Sequence, residues 1–157
     1  MKRLKLYLET SVWNFYFADD APEKRDVTIQ FFQLIQQGKY EIFISSVVFD
    51  EINRALSTKQ QALLQLIKTH HPKELELFED VFLLADRYIQ EQVLPPRATD
   101  DAKHVAVATH YAMDALISWN LKHLANLRKR RMIQSVNLKE GFSSQLDLLT
   151  PMEVSYD

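Results

Sequence analysis

From Leu4 the chain alternates: Leu4, Leu6 and Leu8 fall on every second position, with polar or aromatic residues between them. That period predicts a strand over Arg3 to Leu8. Thr10 to Asp20 keeps no steady period and reads as a loop or a short helical turn. Pro22 and Gly38 then bracket a segment with Val27, Phe31, Leu34 and Ile35 on one stripe, a helix with proline at its start and glycine past its end. "YEIFIS" (Tyr40 to Ser45) predicts a second strand, and Ser45 or Ser46 caps a helix carrying Val48, Ile52 and Ala55 on one side. An amphipathic helix over Lys59 to Lys68 is broken by His70, His71 and Pro72, and "ELELF" (Glu74 to Phe78) predicts a short edge strand. Val81, Leu84, Ala85 and Tyr88 give Glu79 to Gln92 a helical spacing that ends at Pro95–Pro96. "DDAKHVAVATHYA" starts a compact helix, small and apolar on its inner side, and "DALIS" (Asp114 to Ser118) reads as a strand buried on both faces. A last helix spans about Arg128 to Glu140, and "LDLLTP" predicts one more short strand.

Strands that alternate with helices predict an α/β fold, a three-layer sandwich with a mostly parallel central sheet. No repeat, low-complexity tract or linker divides the chain, so residues 1–157 read as a single domain. Apolar residues make up 46% and charged residues 25%, a balance that suits a soluble globular protein. The net charge of −2 means that any affinity for nucleic acid must come from a local patch. The absence of cysteine excludes disulfides, thiolate metal sites and a cysteine nucleophile, and fits a reducing compartment. Gly38 and Gly141 are the only glycines, which removes the glycine fingerprints of dinucleotide and ATP binding and the serine nucleophile elbow. "MKRLKLYLE" has no signal-type apolar region, and no apolar run approaches the roughly 20 residues of a membrane helix. The expectation is a cytoplasmic protein with no membrane partner.

The chemistry follows from topology. Sites in parallel sheets form outside the carboxyl ends of the strands. Glu9 lies just past the first strand, Asn120 just past "DALIS", and Glu51 in the second turn of the helix leaving "YEIFIS". Asp101 begins the helix that leads into "DALIS"; that helix runs antiparallel to its strand, so its start returns to the same edge. Glu9, Glu51, Asp101 and Asn120 are therefore expected to meet, with Asp100 beside them. Crowded carboxylates repel one another unless a cation neutralises them, and an oxygen-only ligand set favours Mg²⁺ or Mn²⁺.

Plainer readings compete at each position. Glu9 also suits a surface acid at a strand end, and Asp101 an acid favoured by the helix dipole, with Asp100 as the N-cap. Glu51 and Arg54 are spaced as a solvated helix pair. Asn120 suits a turn. His104, three residues after Asp101, reads as a packing or hydrogen-bonding residue on a neighbouring face. The run Arg128, Lys129, Arg130 and Arg131, with Lys122 and His123 upstream, reads either as a solvated helix face or as a phosphate-backbone contact. Trp13, Phe15, Tyr16 and Phe17 suit core or dimer packing ahead of base stacking.

Four stretches, in this order, resemble the PIN-domain ribonucleases, and the resemblance spans almost the whole chain. "YLETSVW" is similar to that family's opening strand ending in an acid followed by Thr or Ser, and "ISSVVFDEI" to its glutamate-bearing helix. "TDDAKHVAVA" resembles its Asp-Ala helix, and "ALISWN" the strand that normally ends in Thr-x-Asp. The resemblance implies a metal-dependent endoribonuclease acting on RNA, in the manner of the VapC-like toxins of toxin–antitoxin pairs, with an antitoxin partner and a homodimer. It implies that Glu9, Asp101 and Asn120 hold the principal Mg²⁺ or Mn²⁺, that Glu51 and Asp100 help with a second ion or the attacking water, and that Lys122 and Arg128 to Arg131 guide the RNA backbone. Two departures stand out: Glu9 and Asn120 occupy positions where the family usually has Asp. A neutral Asn120 weakens the cation site and supports one alternative, a PIN fold that binds RNA or protein without cutting; a third class, a metal-dependent phosphatase or other small-substrate α/β enzyme, uses similar acids, but nothing here resembles its nucleophile motif.

Overall fold

A computed structural model describes residues 2–143 and 145–155. Five strands form one sheet in the order β3-β2-β1-β4-β5: β1 (Leu4–Leu8), β2 (Tyr40–Ser45), β3 (Lys73–Leu75), β4 (Ala115–Ile117) and β5 (Asp147–Leu149). Every pairing is parallel, so the sheet is wholly rather than mostly so. Parallel neighbours need crossovers, and helices supply them: α1 (Thr10–Phe15), α2 (Pro22–Gln36), α3 (Ser46–Asn53), α4 (Ser57–His70), α5 (Glu79–Gln90), α6 (Thr99–His110) and α7 (Leu127–Lys139), with the short α8 (Pro151–Ser155) after β5.

β1 is the centre of the sheet. Leu6 pairs with Ile42 on one side and Ala115 on the other, and Tyr7 with Phe43 and Leu116. Leu6, Tyr7 and Leu8 are all fully buried. Because side chains alternate across a strand, Leu6 and Leu8 enter one core and Tyr7 the other. The first core packs α1 to α4 and Val154 of α8 against the sheet through residues such as Trp13, Phe31, Phe32, Val48, Ile52 and Leu63. The second packs α5, α6 and α7 through Val81, Leu84, Tyr88, Val105, Ile133 and Val136. Each fully buried large apolar side chain contributes roughly 1.5–3 kcal/mol, so both helical layers are held by apolar burial and the three-layer sandwich follows.

The local signals explain the ends of the elements. Pro22 opens α2, and Gly38, at φ +82°, lies just beyond it in a conformation that disfavours other residues. Ser45 caps α3, its hydroxyl accepting from the backbone N–H of Val47. Several expectations shift. Thr10 to Phe15 is a helix, because Val12 and Trp13 are buried on one side of it. The edge strand expected at "ELELF" lies at Lys73–Leu75, and α8 follows "LDLLTP" where no helix was expected. Asp100 does not cap its helix: α6 begins at Thr99 after Ala98, with no side-chain cap. Among the described residues no helix is long and apolar enough to cross a membrane.

Candidate active site

The sheet brings three acids to the carboxyl ends of its strands. Glu9 follows β1 directly. Its backbone N–H still bonds Ile117 O at 3.1 Å, which fixes it beside the end of β4, and it is only 4% exposed. A buried carboxylate needs donors. Ser11 Oγ and Ser118 Oγ supply them, donating to Glu9 Oε1 at 2.5 and 2.7 Å. Both serines are held in turn: Ser11 Oγ accepts the Trp119 N–H at 2.8 Å, and Ser118 Oγ the Asn120 N–H at 2.9 Å. Among the described residues no donor reaches Glu9 Oε2.

Glu51 lies in the second turn of α3. Its Oε1 accepts from Thr10 Oγ1 at 2.7 Å and faces His104 Nε2 at 2.5 Å. His104 sits on α6, fully buried, with Nδ1 2.6 Å from the Tyr7 hydroxyl, which is 2.7 Å from Ser45 Oγ. Since a carboxylate only accepts, Nε2 carries the proton towards Glu51. Burial keeps the Tyr7 phenol protonated, far above its ordinary range. The result is one line of contacts, Ser45–Tyr7–His104–Glu51–Thr10, that fixes the Glu51 carboxylate from behind. One donor atom each from Glu9, Glu51 and His104 lies within 4.8 Å of the others.

Asp101 is in the first turn of α6, where its Oδ2 accepts from Asn120 Nδ2 at 3.1 Å. Burial, and then the charge of Glu9, push its acid up to about 6; Glu51 and Asp100 add to this, and His104 opposes it. His104 is raised too. Burial alone would lower it, but the hydrogen bond it donates to Glu51 and the charges of Glu9, Glu51 and Asp101 outweigh burial and raise it. The rise of His104, and the part of the Asp101 shift that burial does not cause, come from the negative charge gathered at this edge.

The other expected residues fall into three places. Asn120 adjoins Asp101, and its Oδ1 accepts the His123 N–H at 3.1 Å. Asp100 turns to Arg54 at 2.6 Å, so Arg54 pairs with Asp100 and not with Glu51. In the basic run, Arg130 is tied to Asp147 at 2.9 Å and to Leu148 O at 3.0 Å, and Lys129 donates to Val93 O. Lys122, Arg128 and Arg131 are exposed. Beside Asn120, burial lowers His123, and the charges of Lys122, Lys129 and Arg97 lower it further.

Residues outside the expected set complete the site: Ser11, Ser118, Thr10 and above all His104. For the last, the sequence offered a packing or hydrogen-bonding role three residues after Asp101, but not the partner, Glu51. Three carboxylates, with an unpartnered oxygen on Glu9 and an Asp101 raised by burial and then by the charge of Glu9, fit a hard divalent cation, while the Asn120 carboxamide and the His104 imidazole are already engaged in hydrogen bonds.

A wholly parallel five-stranded sheet between helical layers, with acids gathered at its carboxyl edge, defines a PIN-like α/β fold. Solved structures share it. A chain of VapBC2 from Rickettsia felis, solved bound to a DNA fragment from its promoter, superposes with a TM-score of 0.58 at 14% identity, over 94% of this chain and 98% of that one. A chain of VapBC-5 from Mycobacterium tuberculosis, a member of the VapBC family of toxin–antitoxin systems, gives 0.51 at 13% identity, over 93% and 98%. No family model and no curated protein matches the chain.

Proposed function

We propose that the chain is a metal-dependent endoribonuclease hydrolysing phosphodiester bonds in RNA, and that it serves as the toxin of a cytoplasmic toxin–antitoxin pair. The observation that carries this is the gathering of Glu9, Glu51 and Asp101 at one sheet edge, where burial first and the charge of Glu9 second push Asp101 up to about 6. The fold shared with two VapBC chains supports it. A bound Mg²⁺ or Mn²⁺ supplies positive charge at the scissile phosphate and a more acidic water. Glu9 and Asp101, with Asn120 beside them, would hold that ion. Ser11 and Ser118 keep Glu9 turned so that its second oxygen is available. His104 and Thr10 hold one oxygen of Glu51, leaving the other to orient the attacking water. Asp100 is engaged by Arg54, so any help it gives to a second ion or the attacking water would be indirect. The toxin role brings an antitoxin partner and a homodimer.

The test is direct. With Mn²⁺, the purified protein should cut single-stranded RNA, and Asp101→Ala should lose both cleavage and Mn²⁺ affinity. If the wild type leaves RNA intact and Asp101→Ala binds Mn²⁺ as well as the wild type does, the enzyme reading falls. A second reading, a fold that binds RNA or protein without cutting, is favoured by one observation: Asn120 is neutral, and both ends of its amide are already engaged. Asn120→Asp separates the two. A large gain in Mn²⁺ affinity and cleavage marks an attenuated nuclease, and no gain marks a binding module.

A further inference from the structure

A groove of about 610 Å³ opens at Lys122 and His123, which follow Asn120 in the chain. It is lined by Arg97, Lys122, His123 and Lys129 over a partly apolar floor that includes Pro95 and Pro96, and no carboxylate lines it. Asn120 is the joint between groove and acids: it accepts from the His123 N–H on one side and donates to Asp101 on the other. Arg97 stands four residues before Asp101, in the turn that leads into α6. Among the described residues, Arg97, Lys122 and Lys129 form no ion pair, whereas Arg130 on the same helix as Lys129 is neutralised by Asp147. Three uncompensated cations in one concave surface, on a chain of net charge −2, repel one another and are complementary to a polyanion.

We infer that this groove takes the sugar-phosphate backbone of a single RNA strand as it leaves the acid cluster, with Arg97, Lys122 and Lys129 on the phosphates and the Pro95–Pro96 floor under a base or ribose. The inference rests on the nuclease reading and makes it specific. The contacts come from this groove, and the exposed face of α7 bearing Arg128 and Arg131 lies outside it. The groove is open and partly apolar, which suits an unpaired strand with a free base face better than a duplex.

The test separates binding from cutting. A short fluorescein-labelled single-stranded RNA is titrated with the protein in EDTA, and anisotropy is read at several salt concentrations. For single strands each phosphate contact contributes about 0.7 to the salt slope. Arg97→Glu with Lys122→Glu should therefore lower the slope by about 1.4 and weaken binding roughly 25-fold at about 0.1 M salt. Arg128→Glu with Arg131→Glu should weaken it less than about threefold, and Lys122→Arg should bind as the wild type does. Both mutated groove residues are exposed, so the fold survives, and Mn²⁺ affinity should not change. If the groove variants bind RNA normally, the groove assignment is wrong, and wild-type cleavage with Mn²⁺ then leaves the nuclease reading standing. If the groove variants lose binding but the wild type cuts nothing with Mn²⁺, the groove stands and the nuclease reading falls. If the wild type ignores the RNA, prefers a duplex, or binds only an acidic peptide through these residues, the inference is overturned.

Discussion

Two buried polar networks in this molecule make an instructive pair. One joins α5, α6 and α7: Tyr88 donates to Asn137 Oδ1 at 2.5 Å, Asn137 Nδ2 to Thr109 Oγ1 at 3.1 Å, and Thr109 to Val105 O at 2.9 Å. Each of these donors has an acceptor, and no member carries a charge. The other gathers Glu9, Glu51, Asp101 and His104 at the sheet edge, where one imidazole bonds Glu51 and feels the charge of all three carboxylates. The first network closes on itself and locks one helical layer. The second is left open on the side of Glu9 Oε2, and its excess charge is felt at both Asp101 and His104. The neutral network is satisfied within the protein; the charged cluster is not, and that is the difference the proposed cation site rests on.

The largest effect that tests the contrast is on activity. Glu9→Gln or Asp101→Ala should reduce RNA cleavage on the order of 10³-fold while the protein stays folded by circular dichroism. Asn137→Leu should leave cleavage by the surviving folded protein unchanged.

Next comes stability, with a sign fixed by linkage. The folded value of Asp101, about 6, lies above its ordinary 3.8. Between those values the folded state binds more protons than the unfolded one, so stability falls as pH rises through that window. Above about pH 6 the full penalty stands, about 3 kcal/mol. Asp101→Asn should thus raise the Tm of the metal-free protein at about pH 8 by several degrees, a gain that disappears towards pH 4. His104 acts in the same sense, since its raised value adds stability at low pH that is lost as pH climbs past it. Mn²⁺ should reverse the trend, stabilising the wild type more at about pH 8 than at about pH 5, because its ligands must be deprotonated. Differential scanning calorimetry at the two pH values reads both effects.

On the neutral network, Asn137→Ala leaves Tyr88 and Thr109 without partners and should cost about 2 kcal/mol, or roughly 4–8 °C in Tm. Its Mn²⁺ affinity should match the wild type. The smallest effect belongs to Arg54→Ala. That pair with Asp100 lies at the surface, with Arg54 64% exposed, so the Tm should stay within measurement error. A modest loss of RNA affinity or cleavage there would give Asp100 a role through its partner.

Much of this was legible in the sequence, for definable reasons. Alternating strands and helices imply a parallel sheet, and a parallel sheet sends the residues after each strand to one edge. Glu9, Glu51, Asp101 and Asn120 could therefore be placed together before any coordinates. What stayed hidden depends on side-chain direction and on contacts distant in sequence. Arg54 meets Asp100 across 46 positions, and nothing in the local spacing chooses it over Glu51. Ser11 and Ser118 carry no periodic signal, yet they decide which oxygen of Glu9 is free. His104 read as a packing or hydrogen-bonding residue, but only the approach of α3 to α6 makes Glu51 its partner. α8 is five residues long, too short for a period to declare itself.

The central claim is that the open carboxylate cluster holds a divalent cation, and crystals soaked in Mn²⁺ and measured for anomalous scattering test it most directly. The account predicts a peak bound by Glu9 and Asp101, with Glu51 beside it and His104 still facing Glu51, and no peak in Asp101→Ala crystals. A site left empty at saturating Mn²⁺, or a peak only at surface carboxylates away from Glu9, would contradict it.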